Sequence, residues 1–173
     1  MSDRTPVAMK MFRMEREDLG AVEPLPVPAG YTVRPYERGD WETCLALMIA
    51  APDPAYVHGP WDRRLCERSM RFSADEHRDY PGGRGQVVFH EGEMVAMALS
   101  SDIGYLNQVY TLPGHRRKGL AAAAVTRVLA ALDAQGVERC FLLVFQENLA
   151  AIRCYARLGF ASIGPQFVPP PEV

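Results

Sequence analysis

The stretch from Tyr105 to Gly136 limits most severely what this chain can fold into. Tyr105-Leu-Asn-Gln-Val-Tyr-Thr-Leu112 is rich in aromatic and β-branched residues, reads as a strand, and is stopped by Pro113-Gly114. An alanine-rich run, LAAAAVTRVLAALDAQ, follows almost at once and closes at Gly136, a good C-terminal cap. The spacing predicts a helix whose first turn carries Arg116, Arg117, Lys118 and Gly119. The next apolar run, Arg139 to Phe145, is typical of a buried strand with a parallel partner, which makes 105–145 a βαβ crossover, expected to be right-handed.

A strand that enters a helix through a basic, glycine-containing turn is an anion site. The helix N-terminus presents unpaired N–H groups and a partial positive charge, and glycine admits a phosphate close to the backbone. Arginine and lysine add charge and donors. Gly114 and Gly119 have P-loop spacing, but Leu120 and Ala121 follow where that motif has Lys and Ser or Thr. With no hydroxyl to hold magnesium, nucleotide hydrolysis is excluded. A GxGxxG dinucleotide fingerprint is absent too, since Gly82-Gly83-Arg84-Gly85 has the wrong spacing. Taken alone, the turn reads equally as a basic helix start on the surface of an ordinary α/β domain.

Arg116-Arg-Lys-Gly119-Leu-Ala121 resembles the Q/R-x-x-G-x-G/A signature of the GNAT acyltransferase superfamily. Val109-Tyr-Thr-Leu-Pro113-Gly-His-Arg116 resembles the family's lead-in to that signature. Leu142-Leu-Val144-Phe-Gln-Glu-Asn148 and Asn148-Leu-Ala-Ala-Ile-Arg-Cys-Tyr155-Ala-Arg-Leu-Gly159-Phe160 match in order and spacing. The resemblance covers about 105–160. It implies a mixed α/β fold of three layers, with a largely antiparallel sheet around one central parallel strand pair, flanked by helices.

The rest of the chain fits one such domain, 30–173, preceded by an arm or connector at 1–29. Its 173 residues, 48% hydrophobic, suffice for one sizeable core. Met9 to Glu15 reads as a short edge strand or an arm, and Glu23-Pro-Leu-Pro-Val-Pro28 as an extended connector. Tyr31–Tyr36 alternates as a first strand. Asp40 is the expected cap of a helix over 41–50 that turns Leu45, Met48 and Ile49 to the core. A proline-broken loop, 51–60, leads to an arginine-rich helix over 61–73. A hairpin folds around Glu91-Gly92-Glu93, a last helix spans 149–158, a short strand starts at Phe160, and Pro169-Pro-Pro171 reads as a frayed tail.

Net charge of −2 gives no global pull toward nucleic acid or membrane. No signal-peptide core or membrane-length apolar run is present. Cys44, Cys66, Cys140 and Cys154 lack metal-type or CxxC spacing, and the four histidines are scattered, so no metal is expected and the cysteines read as free thiols of a cytoplasmic protein. A homodimer is compatible with this composition.

The resemblance implies acetyl-CoA as cosubstrate. Backbone groups of Val109, Tyr110 and Thr111 would pair with the pantetheine arm, and one N–H there would receive the developing oxyanion. Amides and side chains over Arg116, Arg117, Lys118, Gly119, Leu120 and Ala121 would hold the pyrophosphate, and Asn148, itself a good helix cap, would touch the cofactor. Tyr155 would be the general acid: a phenol near pKa 10 suits a leaving thiolate near 8.5. Its spacing with Ile152 and Leu158 is also that of a core aromatic. Many relatives carry a Glu on the strand before the signature, where this chain has Asn107 and Gln108, which do not titrate. Asp102, Glu147, His90 and His58 are alternatives for the base, each also readable as a solvated group, and a water chain is another. Tyr56, His58 and Trp61 are candidates to line an acceptor pocket. The implied activity is N-acetylation of a small primary amine. The alternatives are a peptide N-terminus or lysine as acceptor, or a non-catalytic acyl-CoA sensor.

Overall fold

A computed structural model describes residues 9–52, 61–71 and 79–168 of the chain. In order, the elements are β1 (Met9–Arg16), β2 (Tyr31–Pro35), α1 (Trp41–Ala50), α2 (Arg63–Arg71), β3 (Gly85–His90), β4 (Glu93–Ser100), β5 (Leu106–Thr111), α3 (Leu120–Ala134), β6 (Cys140–Phe145), α4 (Leu149–Arg157) and β7 (Ala161–Val168). They form two antiparallel sheets, one ordered β2-β3-β4-β5 and the other β6-β1-β7.

The four-stranded sheet is a meander built by local rules. Glu91 and Gly92 both adopt positive φ, 51° and 84°, as a tight two-residue hairpin between β3 and β4 requires. Alternating residues then divide between two cores. Val88 and Ala98 pack with Val125, Val128, Leu129 and Leu132 of α3. Val87, Met97 and Leu99 pack with Trp41, Leu45 and Met48 of α1 and Cys66 and Met70 of α2. The sheet is therefore the middle layer between α3 on one face and α1 with α2 on the other, and each fully buried large aliphatic contributes roughly 1.5–3 kcal/mol.

The second sheet corrects two expectations. Met9–Arg16 is neither edge strand nor arm: β1 is the middle strand, paired with β6 over Met11–Arg16 and with β7 over Met9–Glu15. β6, expected in a parallel pair with β5, is instead antiparallel to β1. Among the described residues one parallel bridge, Tyr105 with Phe141, pairs it with the segment leading into β5, beside a 2.9 Å bond from the Phe141 N–H to the Gly104 carbonyl. The burial of β6 alternates, with Cys140, Leu142 and Val144 inward, and an apolar run does not reveal which neighbour it takes. Gly104 makes the meeting possible: its φ is 81°, and a Cβ there would collide with the Arg139 carbonyl oxygen.

Smaller corrections follow from burial and bonding. Ile49 is exposed, while Trp41, Cys44 and Leu47 join Leu45 and Met48 inside. α3 starts at Leu120, so Arg116 to Gly119 form the turn before the helix and not its first turn. Its C-terminus meets the expectation: Gly136 has φ 76°, and the Val137 N–H reaches back to the Leu132 carbonyl at 3.0 Å. Asp40 stands at the cap position of α1 without capping it. Its carboxylate takes two bonds from Arg34, at 2.7 and 2.9 Å, and one from the Glu37 N–H at 2.8 Å.

Burial alone would raise the pKa of Asp40, but the Arg34 guanidinium and the Glu37 N–H outweigh it and hold the carboxyl below its ordinary 3.8. A depressed carboxylate contributes stability that is complete above the unfolded value and fades as pH falls through the folded one. Asp40→Asn should therefore lower stability by about 1–3 kcal/mol near neutrality. Melting temperatures from pH 7 down to about 2.5 should show the gap to wild type closing below pH 4. A pH-independent gap would assign the loss to packing.

Candidate active site

The site begins where the two sheets part. Beyond the Tyr105–Phe141 bridge, β5 turns one edge to β4 and leaves the other without a strand partner among the described residues. The Leu112 N–H bonds Val95 of β4, so the pleat sends the backbone groups of Val109 and Thr111 the opposite way, into the gap toward β6. The Arg116 Nε bond to the Thr111 carbonyl at 3.1 Å shows that direction. An open strand edge is a template for an extended, amide-bearing ligand.

The turn that follows is shaped by its own backbone. Gly119 has φ 78°, and a Cβ there would meet no atom within 4 Å, so conformation and not crowding demands glycine. Arg117 also takes a left-handed φ, 63°, which is uncommon for a residue other than glycine. No side chain caps α3. The amides of its first turn are therefore left without a capping side chain at a positive helix end, an arrangement suited to an anion.

The basic side chains are used differently from what the sequence suggests. Arg116 is turned inward, to the Thr111 carbonyl and to the Ala51 carbonyl at the end of α1. Lys118 Nζ donates to the Tyr31 hydroxyl at 3.0 Å, and that hydroxyl lies 2.9 Å from His115 Nδ1. His90 packs against both Tyr31 and His115. Two of the three cations thus tie the turn to α1 and β2, and Arg117 alone has no partner among the described residues. Leu120 is a core residue and Ala121 is half-buried, so both offer amides and not side chains.

Tyr155 projects from α4 into the core, 8% exposed, with its ring edge-on to Phe160 at 5.8 Å. It belongs to the same core cluster as Cys140 and Leu142 of β6, against which Val109 of β5 also packs. Burial pushes its phenol well above the ordinary 10. Asn148 caps α4, its Oδ1 accepting from the Ala151 N–H at 3.1 Å.

On the other face of β5 the structure presents a feature that sequence reasoning passed over. Gln108 is fully buried, and its Nε2 donates to Ser69 Oγ of α2 at 2.7 Å. Its Oε1 has no hydrogen-bond partner among the described residues. Leaving such an oxygen unpaired costs about 1–3 kcal/mol. Two residues along, Tyr110 is half-buried, its phenol pushed up by desolvation with Cys66 and Tyr105 nearby, and Trp61 stands edge-on to it at 6.3 Å. Ser69 left no signal, because one serine in an arginine-rich helix has no motif. Asp102 and Glu147 are solvent-exposed, and Tyr56 and His58 lie outside the described residues. Among the described residues no cluster of three metal-ligating side chains occurs, and no helix is long and apolar enough to cross a membrane. The four cysteines are free.

The model of the acetyltransferase (GNAT) family matches residues 46–160. The chain is 31% identical over 161 residues to a mycothiol acetyltransferase of Streptomyces scabiei, an alignment covering 89% of this chain and 50% of that protein. It spans about half the length of the curated relatives it matches. Among solved structures it resembles a GCN5-related N-acetyltransferase from Sphaerobacter thermophilus, with a TM-score of 0.69 at 19% identity over 91% of this chain and 50% of that one. It also resembles the PaiA N-acetyltransferase of Thermoplasma acidophilum, solved with coenzyme A, with a TM-score of 0.55 at 12% identity over 74% and 87%. A parted strand edge, an uncapped helix behind a left-handed glycine, and a family match over two-thirds of the chain lead to one assignment: this chain belongs to the GNAT family of acetyltransferases, whose cosubstrate is acetyl-CoA.

Proposed function

We propose that this chain transfers the acetyl group of acetyl-CoA to the primary amine of a small molecule. The observation that carries the reading is the continuity of the open β5 edge with the uncapped start of α3. An extended ligand with amides at one end and a diphosphate at the other fits those two receptors in series. In this reading Val109 and Thr111 pair with the pantetheine arm, Tyr110 supports the strand between them, and amides from Arg117 to Ala121 receive the pyrophosphate. Arg116 and Lys118 hold the turn in shape, Arg117 supplies free charge, and Asn148 fixes the start of α4 beside the cofactor. The named activity of the mycothiol acetyltransferases supports a small acceptor over a protein one.

The chemistry is an attack of the neutral amine nitrogen on the thioester carbonyl, followed by loss of the thiolate. A Val109 or Thr111 N–H stabilises the oxyanion, and Tyr155 protonates the sulfur. Because burial raises its pKa, the phenol stays protonated across the working range and is always ready to donate. The amine sheds its proton to water before attack, since β5 carries no carboxylate to take it.

The cofactor assignment is checked by calorimetry with coenzyme A. Gly119→Glu places a carboxylate at the phosphate turn and should abolish binding, whereas Gly119→Asn, which tolerates left-handed φ and stays neutral, should retain most of it. Undiminished affinity in a folded Gly119→Glu protein would falsify the placement.

The acceptor class is tested by mass spectrometry of acetylated product from ethanolamine, cysteamine, glucosamine, spermidine and short peptides. A small amine is the expected product. Binding of acetyl-CoA without any acetylated amine would instead make this a sensor domain.

Tyr155→Phe should lower turnover about a hundredfold, with coenzyme A affinity and melting temperature nearly unchanged. The wild-type rate should show no descending limb up to about pH 10, because the acid's pKa lies above that. A descending limb near pH 8.5 that vanishes in Tyr155→Phe would mean that the phenol ionises more easily than its burial allows.

A further inference from the structure

We propose that Gln108 receives the acceptor amine: its Oε1 takes an N–H of the attacking nitrogen and aims the lone pair at the thioester. The inference rests on the acetyltransferase reading above. A fully buried amide is held at one end, Nε2 to Ser69 Oγ at 2.7 Å, while the other end is a carbonyl oxygen without a partner among the described residues. An amide anchored through its nitrogen keeps its oxygen in one direction, and a buried oxygen with no donor is suited to a ligand that brings one.

The reaction's own components identify that ligand. The acetyl oxygen and the thioester sulfur are acceptors only and have nothing to offer Oε1. The amides of the pantetheine arm are committed to the outward edge of β5. The amine is the component that arrives with N–H donors to spare. Gln108 is next to Val109 along the strand, so a nitrogen bound on the α2 face lies one residue from the edge on which the thioester is stretched. Tyr110, Trp61 and Cys66 continue the same wall and give the alkyl part of the acceptor an apolar surface.

The step balances without a base at this position. The neutral amine's lone pair forms the C–N bond, the C–S bond breaks with its electrons going to sulfur, and the thiolate is protonated. The nitrogen loses one proton to solvent as the amide forms. Gln108 accepts a hydrogen bond throughout and never a proton. It is thus an orienting residue that touches the substrate.

The test uses the fastest wild-type substrate among ethanolamine, glucosamine and spermidine, with three variants. Gln108→Met keeps the volume and removes the acceptor. It should raise the KM for that amine at least tenfold and leave the KM for acetyl-CoA unchanged. Its melting temperature should change little, because removing the unpaired oxygen offsets the loss of the Ser69 hydrogen bond. Gln108→Glu keeps an acceptor oxygen and should stay closer to wild type than Gln108→Met. Ser69→Ala frees the amide to rotate and should raise the amine KM by a smaller factor, which gives a reading even if Gln108→Met does not fold. An unchanged amine KM in both Gln108→Met and Ser69→Ala overturns the proposal, as does a Gln108→Met protein that loses acetyl-CoA affinity and stability together. If the wild type acetylates no amine of the panel above, the acetyltransferase reading fails and takes this inference with it. Wild-type activity with equal activity in the variants fails the inference alone.

Discussion

Everything distinctive in this molecule depends on two strand segments that meet at one point and then separate. A fully zipped parallel pair between β5 and β6 would consume the outward backbone groups of Val109 and Thr111. Instead β6 pairs with β1, and among the described residues its ladder pairing with the β5 segment is the single bridge of Tyr105 with Phe141. That point is reinforced from several directions. The two rings stack at 5.1 Å, nearly parallel at 9°, and the Arg13 guanidinium covers the Phe141 ring at 4.2 Å. Gly104 lets the Arg139 carbonyl approach where any side chain would block it. The junction is therefore fixed at its apex, and beyond it the β5 edge stays unpaired among the described residues.

The electrostatics of the phosphate turn illustrate a second economy. A count of Arg116, Arg117 and Lys118 suggests a cationic patch, yet two of these three chains are committed to carbonyls and a tyrosine hydroxyl. Their work is to hold a strained backbone, with Arg117 and Gly119 both in the left-handed region, against the end of α1 and the start of β2. In the proposed reading the anion receptor is the row of amides and the helix end. Such donors are fixed before the ligand arrives, so little ordering is needed at binding.

The fold was legible wherever local chemistry decides structure. The β3–β4 hairpin follows from a two-residue turn that takes positive φ, and α3 ends at Gly136 because a left-handed cap is needed there. α1 was legible as a helix but not in its burial. Ile49 is exposed and Trp41 is buried, because which stripe of an apolar helix faces inward depends on its neighbours. Asp40 was legible as a cap position, but Arg34, six residues earlier, offered its carboxylate a charged partner that outcompetes the helix amides.

By itself the sequence determined the strand, turn and helix of 105–136, the glycine at 119 and the aromatic at 155, because each is set by residue type and short spacing. Only the tertiary structure decided that residues 9–16 run through the middle of a sheet, that β5 and β6 part after one bridge, and that Gln108 and Ser69 share a hydrogen bond. Those facts are pairings between segments dozens of residues apart. Backbone hydrogen bonds are the same for every residue type, so no local pattern records which distant strand satisfies them. The unpaired oxygen of Gln108 belongs to the same class: it is a property of what surrounds a side chain, and it exists only once the chain has closed around it.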